Sequence, residues 1–536
     1  MTVKTEGNSN RRVDRPMWLK AVLVVLVATG SLSSLGCRVN ENDVHRWEST
    51  ERGPDKLVAV LEHDKYSWPL RTEAALSLIR MRPRAGRRIG IELLTDALAG
   101  LPVDARQKIV IGMAPELVHQ MQAPPPVKNP DGTVPADPSI PYKDAAFAML
   151  QHEPPLVSDD KTKADLMSAL TQWSQTDFET RLDNPSQQFG IEQMMRFLGS
   201  SSVKGLPALI TESSTKIDRI ATLIADLGDD ATKQQASQAL VALAKKLDSK
   251  AWIDKQTPLV QDADNRANQK VTPEQLAKQV TTYQDQELTK VFSSMKRVGG
   301  RPVVDYLLQY GSDPRNSSDR RKTALAALEG RVDKNNAADV ERLFAVARDD
   351  ATPDDVRDIA FQRLGELPKE QAVPRLYALF QGHKWKVRWV AASLVLKTVT
   401  PKQVPEFMSH LPVSAATKMG ISEPISYGGL IGKMDPVAGQ AKPRDVLLGY
   451  LNSPLLGPKL TALGYFYQGK KSDLSVVESK ANDTAPLPKC DKDDDCGWQC
   501  DVPKAGATDK NDKESKTVTT VGEFARYCVE PSMDSQ

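Results

Sequence analysis

The 536-residue chain has only five cysteines, 6% aromatic residues and almost no excess of charge, with 71 Lys and Arg against 69 Asp and Glu. A net charge of +2 leaves no basic footprint for nucleic acid. The cysteines form no C-x-x-C pair, which excludes a thioredoxin-like redox motif. Their last three spacings, C-x5-C, C-x3-C and C-x27-C, do not match the paired spacing of a zinc knuckle. The N-terminal uncharged run, Ala21 to Leu35, is fifteen residues, short of the roughly 20 needed to span a bilayer.

That run has a different meaning in its context. Lys4, Arg11, Arg12, Arg15 and Lys20 precede it, and small residues follow, the pattern of an export signal. It ends in "SLGC", Ser34 to Cys37, which resembles the lipobox of bacterial lipoproteins, with Ser34 where that family usually has Leu. The resemblance implies a signal peptide over 1–36, lipid on Cys37 as the first mature residue, and a lipid-anchored protein of the cell envelope. Arg38 in place of an inner-membrane retention aspartate implies the outer membrane, facing the periplasm or the surface. A polar tether is expected over 37–54.

If Cys37 carries lipid, then Cys490, Cys496, Cys500 and Cys528 remain, an even number in an oxidising compartment. Two disulfides are the expectation, with three pairings open. Asp491, Asp493 and Asp495 alternate as in a calcium loop, but Cys496 and Val502 stand where that loop needs Gly and Glu. Few large apolar residues lie in the C-terminal Cys-rich module, 481–536, so a staple would supply what a core cannot. The acidic cysteine stretch resembles short cysteine-rich modules of secreted bacterial proteins.

Between the ends, one short pattern recurs: a basic residue, Ala three later and an apolar residue seven later. It reads "RTEAALSL" from Arg71, "KQQASQAL" from Lys233, "RKTALAAL" from Arg321, "RDIAFQRL" from Arg357, "RWVAASLV" from Arg388 and "KLTALGYF" from Lys459. Offsets of three and seven share one helical face. Ala74, Ala324, Ala360 and Ala391 would let neighbouring helices approach closely. The pattern resembles the HEAT-repeat family, best at 349–364 and 383–395, where Val356–Arg357 and Val387–Arg388 stand in the motif positions. The expected fold is all-α: a HEAT-like α-solenoid of stacked antiparallel helix pairs over 55–480, followed by the disulfide-stapled module. Single pairs cannot bury their apolar face, so they must stack. "TPEQ" (272–275), "TPDD" (352–355) and "TPKQ" (400–403) each offer Thr as N-cap and Pro at the first helical position.

Two stretches break the regularity. Residues 122–142 pack seven prolines between Pro124 and Pro141, an extended insertion or a docking arm. An irregular insert, with a possible hairpin at 420–433, is expected within 413–443. The run Arg80, Arg82, Arg84, Arg87 and Arg88 reads as a solvated corner or as a contact for anionic headgroups.

Recognisable catalytic patterns are missing. The six histidines, His45, His63, His119, His152, His383 and His410, never fall within one helical turn of each other. "GGLIGKM" (428–434) is one residue short of a phosphate loop and has Met434 in place of the magnesium-binding hydroxyl. His383, Trp385 and Trp389 form an aromatic group at a repeat turn, read as packing or as a ligand contact. The reading is therefore a non-enzymatic scaffold without metal or cofactor, binding protein partners along its solenoid and held to the membrane through Cys37. The alternative is a ligand-binding or lyase-like protein with a pocket on the concave face.

Overall fold

The computed structural model describes residues 39–83, 88–127, 129, 133, 135–381, 384–413, 419–488, 497–504 and 513–533. The stretch 1–36, expected to be a signal peptide, and Cys37, Arg84, Arg87, His383, Cys490 and Cys496 lie outside the described residues. No helix among the described residues is long and apolar enough to cross a membrane. The chain divides into two compact units after Met113.

The first unit contains α1 (Glu41–Trp47), α2 (Gly53–Glu62), α3 (Trp68–Arg80), α4 (Ile89–Gly100) and the start of α5 (Val103–Gln122). The expected tether is corrected here, because the chain is already folded at Asn40. Asn40 and Asp43 form a reciprocal capping box at the start of α1, and Val44 is fully buried. Glu48, just past α1, accepts from Ser77 Oγ at 2.7 Å and Arg80 Nε at 2.9 Å, which ties the first helix to α3. Within this polar-looking stretch, Glu41–Trp47 is a capped helix with one buried side, too short to show its period.

The second unit begins with α6 (Ile140–Gln151), α7 (Asp160–Gln175), α8 (Phe178–Leu182), α9 (Ile191–Leu198), α10 (Ile217–Leu227) and α11 (Asp230–Leu247). A long hairpin follows, α12 (Lys250–Arg266) and α13 (Pro273–Val298), then α14 (Arg301–Ser312), α15 (Ser318–Ala326), α16 (Ala337–Arg348) and α17 (Asp354–Gly365). The described part of the Pro-rich stretch is non-helical from Ala123 to Ser139. Helix α14 packs on α15 and α16 on α17, while α14 also meets α16 and α15 meets α17. Like helices of successive pairs therefore lie side by side, the arrangement of a solenoid.

The recurring pattern explains the stacking. Ala74, Ala236, Ala324, Ala360, Ala391 and Ala462, one from each copy, are all 0% exposed. The offset-seven residues Leu78, Leu240, Leu328, Leu364, Val395 and Phe466 are buried as well. Polar contacts repeat with the same period. Arg301 reaches Asp339 38 residues on, Ser318 reaches Asp355 37 on, and the Gly330 amide reaches Glu366 36 on.

The array continues through α18 (Lys369–Tyr377), α19 (Trp385–Thr398), α20 (Val404–His410), α21 (Ser422–Gly432), α22 (Pro443–Tyr450), α23 (Leu456–Tyr465) and α24 (Leu474–Glu478). The stretch expected as a hairpin or irregular insert is corrected: 422–432 is helical and packs tightly on α23. Its glycines serve close approach. A Cβ on Gly428 would lie 2.2 Å from the Tyr465 nitrogen, and one on Gly464 would lie 2.1 Å from the Pro424 oxygen. Thr272 and Thr400 make their capping boxes, whereas Thr352 does not cap α17, whose N-cap is Pro353.

The C-terminal module carries the only strands among the described residues. Strand β1 (Gln499–Pro503) pairs antiparallel with β2 (Lys513–Thr517), Cys500 opposite Lys516. Helix α25 (Val521–Phe524) leads into a π-helical turn, Ala525–Val529. Cys500 and Cys528 form a disulfide with Cα atoms 5.3 Å apart.

Candidate interaction surface

The motif arginines do not lie on the surface. Arg71, Arg321, Arg357 and Arg388 are between 2% and 5% exposed. Three of them turn back to the end of the preceding helix. Arg71 Nε donates to the Leu61 carbonyl at 2.8 Å, and Arg321 Nε to the Gly311 carbonyl at 3.0 Å. Arg357 donates to the Asp349 and Thr352 carbonyls, both at 2.9 Å. The last carbonyls of a helix have no partner within it. A guanidinium from the second helix of the pair supplies one and fixes the angle between the two. Burial lowers the Arg71 and Arg321 guanidinium pKa values from their ordinary value, opposed by nearby aspartates. Arg388 instead crosses to the next pair, where its Nε and a terminal nitrogen meet Glu423 at 3.1 and 3.2 Å. Burial pushes the Glu423 carboxyl above its usual range, against the pull of Arg388.

The surface arginines of the 80–88 run divide. Arg80 is spent on Glu48, Glu73 and Ser77, while Arg82 is exposed. Trp385 is buried and Trp389 is 36% exposed, their rings 6.3 Å apart and tilted. The described histidines stay dispersed: His45 lies between Glu48 and Glu73, His63 beside Asp64, and His410 stacks on Tyr377 at 4.0 Å. "GGLIGKM" lies within and just after α21, with no loop that could cradle a phosphate. Among the described residues no group of three His, Cys, Asp or Glu could hold a metal ion.

Two polar clusters escaped the sequence reading. At the end of the Pro-rich stretch, Asp137 accepts from Arg181 Nε at 2.9 Å, and Arg181 also donates to the Trp173 carbonyl. Beside them, Lys143 Nζ lies 2.6 Å from Asp144 and 5.1 Å from the centre of the Trp173 ring, all out of contact with water. Arg181 does for α7 and α8 what Arg71 does for α2 and α3. No Ala three residues on marks it, so the repeat pattern could not have found it. The second cluster is centred on Arg320, which reaches Asp248 at 2.7 Å and Asp285 at 2.6 Å, 72 and 35 residues upstream. Adjacent residues on a helix point about 100° apart. Arg321 therefore serves its own pair while Arg320 binds the two before it.

These contacts leave open clefts and scattered apolar side chains at the surface. One cleft of about 730 Å³ in the first unit is lined by His63, Tyr66, Trp68, Arg71 and Pro102. Another, about 690 Å³, follows the α12–α13 hairpin past Lys278 and Tyr283. Phe197, Leu259, Tyr283 and Trp389 are exposed across the second unit. Leu259 and Tyr283 stand on the hairpin, where α12 buries only Trp252.

No protein-family model matches the chain, and no curated protein matches it. Solved structures do. Kap121p is 14% identical over 82% of this chain and 43% of its own length, with a TM-score of 0.27. Kap121p bound to the SUMO protease Ulp1p gives 15% and 0.29, with the same coverage. Importin beta gives 12% over 82% of this chain and 60% of its own, with a TM-score of 0.23. The chain spans less than half the length of Kap121p. The repeating contacts of its own helices place it among the all-α, HEAT-like solenoids, with a disulfide-bonded C-terminal module.

Proposed function

We propose that the chain is a scaffold that binds protein partners along its stacked helix pairs, and that lipid on Cys37 holds it in the outer membrane of a cell envelope. The observation that carries the scaffold reading is the division of labour among side chains. Motif arginines and the Arg320 cluster are turned inward, joining helix to helix and pair to pair, while Phe197, Leu259, Tyr283 and Trp389 remain at the surface, spread over the array. Exposed aromatic residues are the anchors that interfaces favour. Scattering them from α9 through the α12–α13 hairpin to α19 suits a partner gripped at several points, with no single residue carrying the function.

The anchor reading is supported by "SLGC" and by the Cys500–Cys528 disulfide, a bond that persists outside the cytosol. The test is photo-crosslinking in intact cells from residues 197, 259, 283 and 389 in turn. The same partner caught from several positions is the expected result. Capture from one cleft alone would overturn the scaffold reading in favour of a single ligand pocket. Cys37→Ser is expected to shift the protein from the membrane to the soluble fraction. An unchanged membrane fraction would overturn the anchor.

A further inference from the structure

Among the described residues, one fully buried side-chain bond links the C-terminal module to the helical array from far away in sequence, beside the Gln468–Ser532 and Lys459–Asp483 contacts. Trp498, just before β1, is 5% exposed, and its indole Nε1 donates to the Met419 carbonyl at 2.8 Å, 79 residues upstream. The ring is held edge-on to Phe524 at 5.3 Å, and the Trp498 carbonyl accepts from Val518 N at 2.9 Å. Two residues on, Cys500 is bonded to Cys528, so β1 cannot leave the π-helical turn while the disulfide stands.

Met419 sits next to a second buried group. The Gly420 amide donates to Glu423 Oε2 at 3.0 Å, and Tyr427 donates to Oε1 at 3.1 Å. Glu423, fully buried at the start of α21, is the carboxylate that pairs with Arg388 of α19. A buried ion pair is tolerated only when each partner's remaining valences are met. The path from disulfide to ion pair thus runs Cys500, Trp498, Met419, Gly420, Glu423, Arg388.

We propose that the Cys500–Cys528 disulfide conditions the order of the last helix pairs, by seating Trp498 on Met419 and so positioning Glu423 against Arg388. Opening it needs a dithiol reductant. A thiolate of the reagent displaces one cysteine sulfur to give a mixed disulfide, and the reagent's second thiol closes on the first. The protein ends with two thiols and the reagent with one disulfide, two electrons and two protons having passed. Freed from the turn, β1 no longer holds the indole, and the Met419 carbonyl loses this one of its contacts.

Amide hydrogen exchange on the full chain tests this with three samples. In the Cys500→Ser/Cys528→Ser double variant, exchange over 419–432 is expected to rise at least ~10-fold. In Trp498→Phe, with the disulfide intact, the ring still packs on Phe524 but cannot donate. The same rise over 419–432 is expected while the β1–β2 amides stay protected. Reduction of the wild-type chain is expected to reproduce the double variant. Unchanged exchange over 419–432 in Trp498→Phe would overturn the proposal even if the double variant loses the module altogether. So would a rise confined to 499–517 in the double variant.

Discussion

Two stretches of the second unit solve the same packing problem differently. Between Arg301 and Gly365 the helix pairs are regular, and a buried charge there meets a carbonyl or a partner nearer the surface: Arg321 the Gly311 carbonyl, Arg357 the Asp349 and Thr352 carbonyls, and the buried Asp339 the more exposed Arg301. Between Asp137 and Thr215 the helices are short and unequal, and the charges go inside: Asp137 with Arg181, Lys143 with Asp144. The lesson concerns space. Where successive pairs are alike, Ala notches bring helices together and leave little room for an ion pair buried on both sides. Where helices of five to sixteen residues meet, spaces are left that alanine and leucine do not fill. Long side chains with complementary charge fill them and tie the non-helical Asp137–Ser139 segment to the helices.

This difference should appear first in stability. Arg181→Ala leaves Asp137 buried without its cation, and the expected loss is about 3–5 kcal/mol. Denaturant unfolding followed over 137–215 would measure it, and a loss under ~1 kcal/mol would erase the contrast. Arg321→Ala strips a carbonyl partner from the end of α14 in the regular stretch. About 1–3 kcal/mol is expected there, the cost of an unmet buried group. Equal losses at Arg181 and Arg321 would mean the two stretches do not differ in kind. At the surface, Arg196→Gln breaks an exposed pair with Asp226 at 2.7 Å and should cost under ~1 kcal/mol.

Titration is the gentlest probe. The Asp159 carboxylate at the start of α7 and Asp355 in the first turn of α17 are both held below the usual carboxylate range, the first chiefly by the Thr162 hydroxyl, the second chiefly by that of Ser318. A carboxyl whose folded pKa is depressed stabilises the fold above its unfolded pKa, near 3.8, and that contribution is lost as pH falls through the folded value. Both helix starts should therefore fray together below pH ~3.8, as read by amide exchange between pH 5 and 2.5. Fraying of one without the other would show that the two stretches differ at their surface too.

The regular stretch was legible in the sequence and the irregular one was not. Ala324 and Ala360 announce themselves because a small residue at a fixed offset recurs, and Leu328 and Leu364 follow on the same face. The inward turn of Arg321 and Arg357 could not be read, since arginine is usually exposed and a basic residue opening a helix looks solvated. The copies with lysine show the limit of the pattern. Lys233 and Lys459 occupy the same offset but are less buried than the arginines, and Lys459 pairs with Asp483 at 2.8 Å. A compact ammonium lacks the planar fork that lets arginine reach a carbonyl while packed between helices. Helix α21 was misread because Gly428 and Gly429 look like turn residues. Gly428 is there because the α23 backbone passes where a Cβ would stand. Nothing local marked Lys143 and Asp144 as buried, because adjacent opposite charges are ordinary on a surface.

The central claim is that helix pairs are stabilised by their neighbours, and that Arg71, Arg321 and Arg357 help fix the geometry of their own pairs. Native-state amide exchange on the Arg357→Ala chain tests it most directly. The expected result is lost protection in α16 and α17, weaker loss in α14, α15 and α19, and none in α6 to α9. Loss confined to α17, or equal loss in every helix of the second unit, would contradict it.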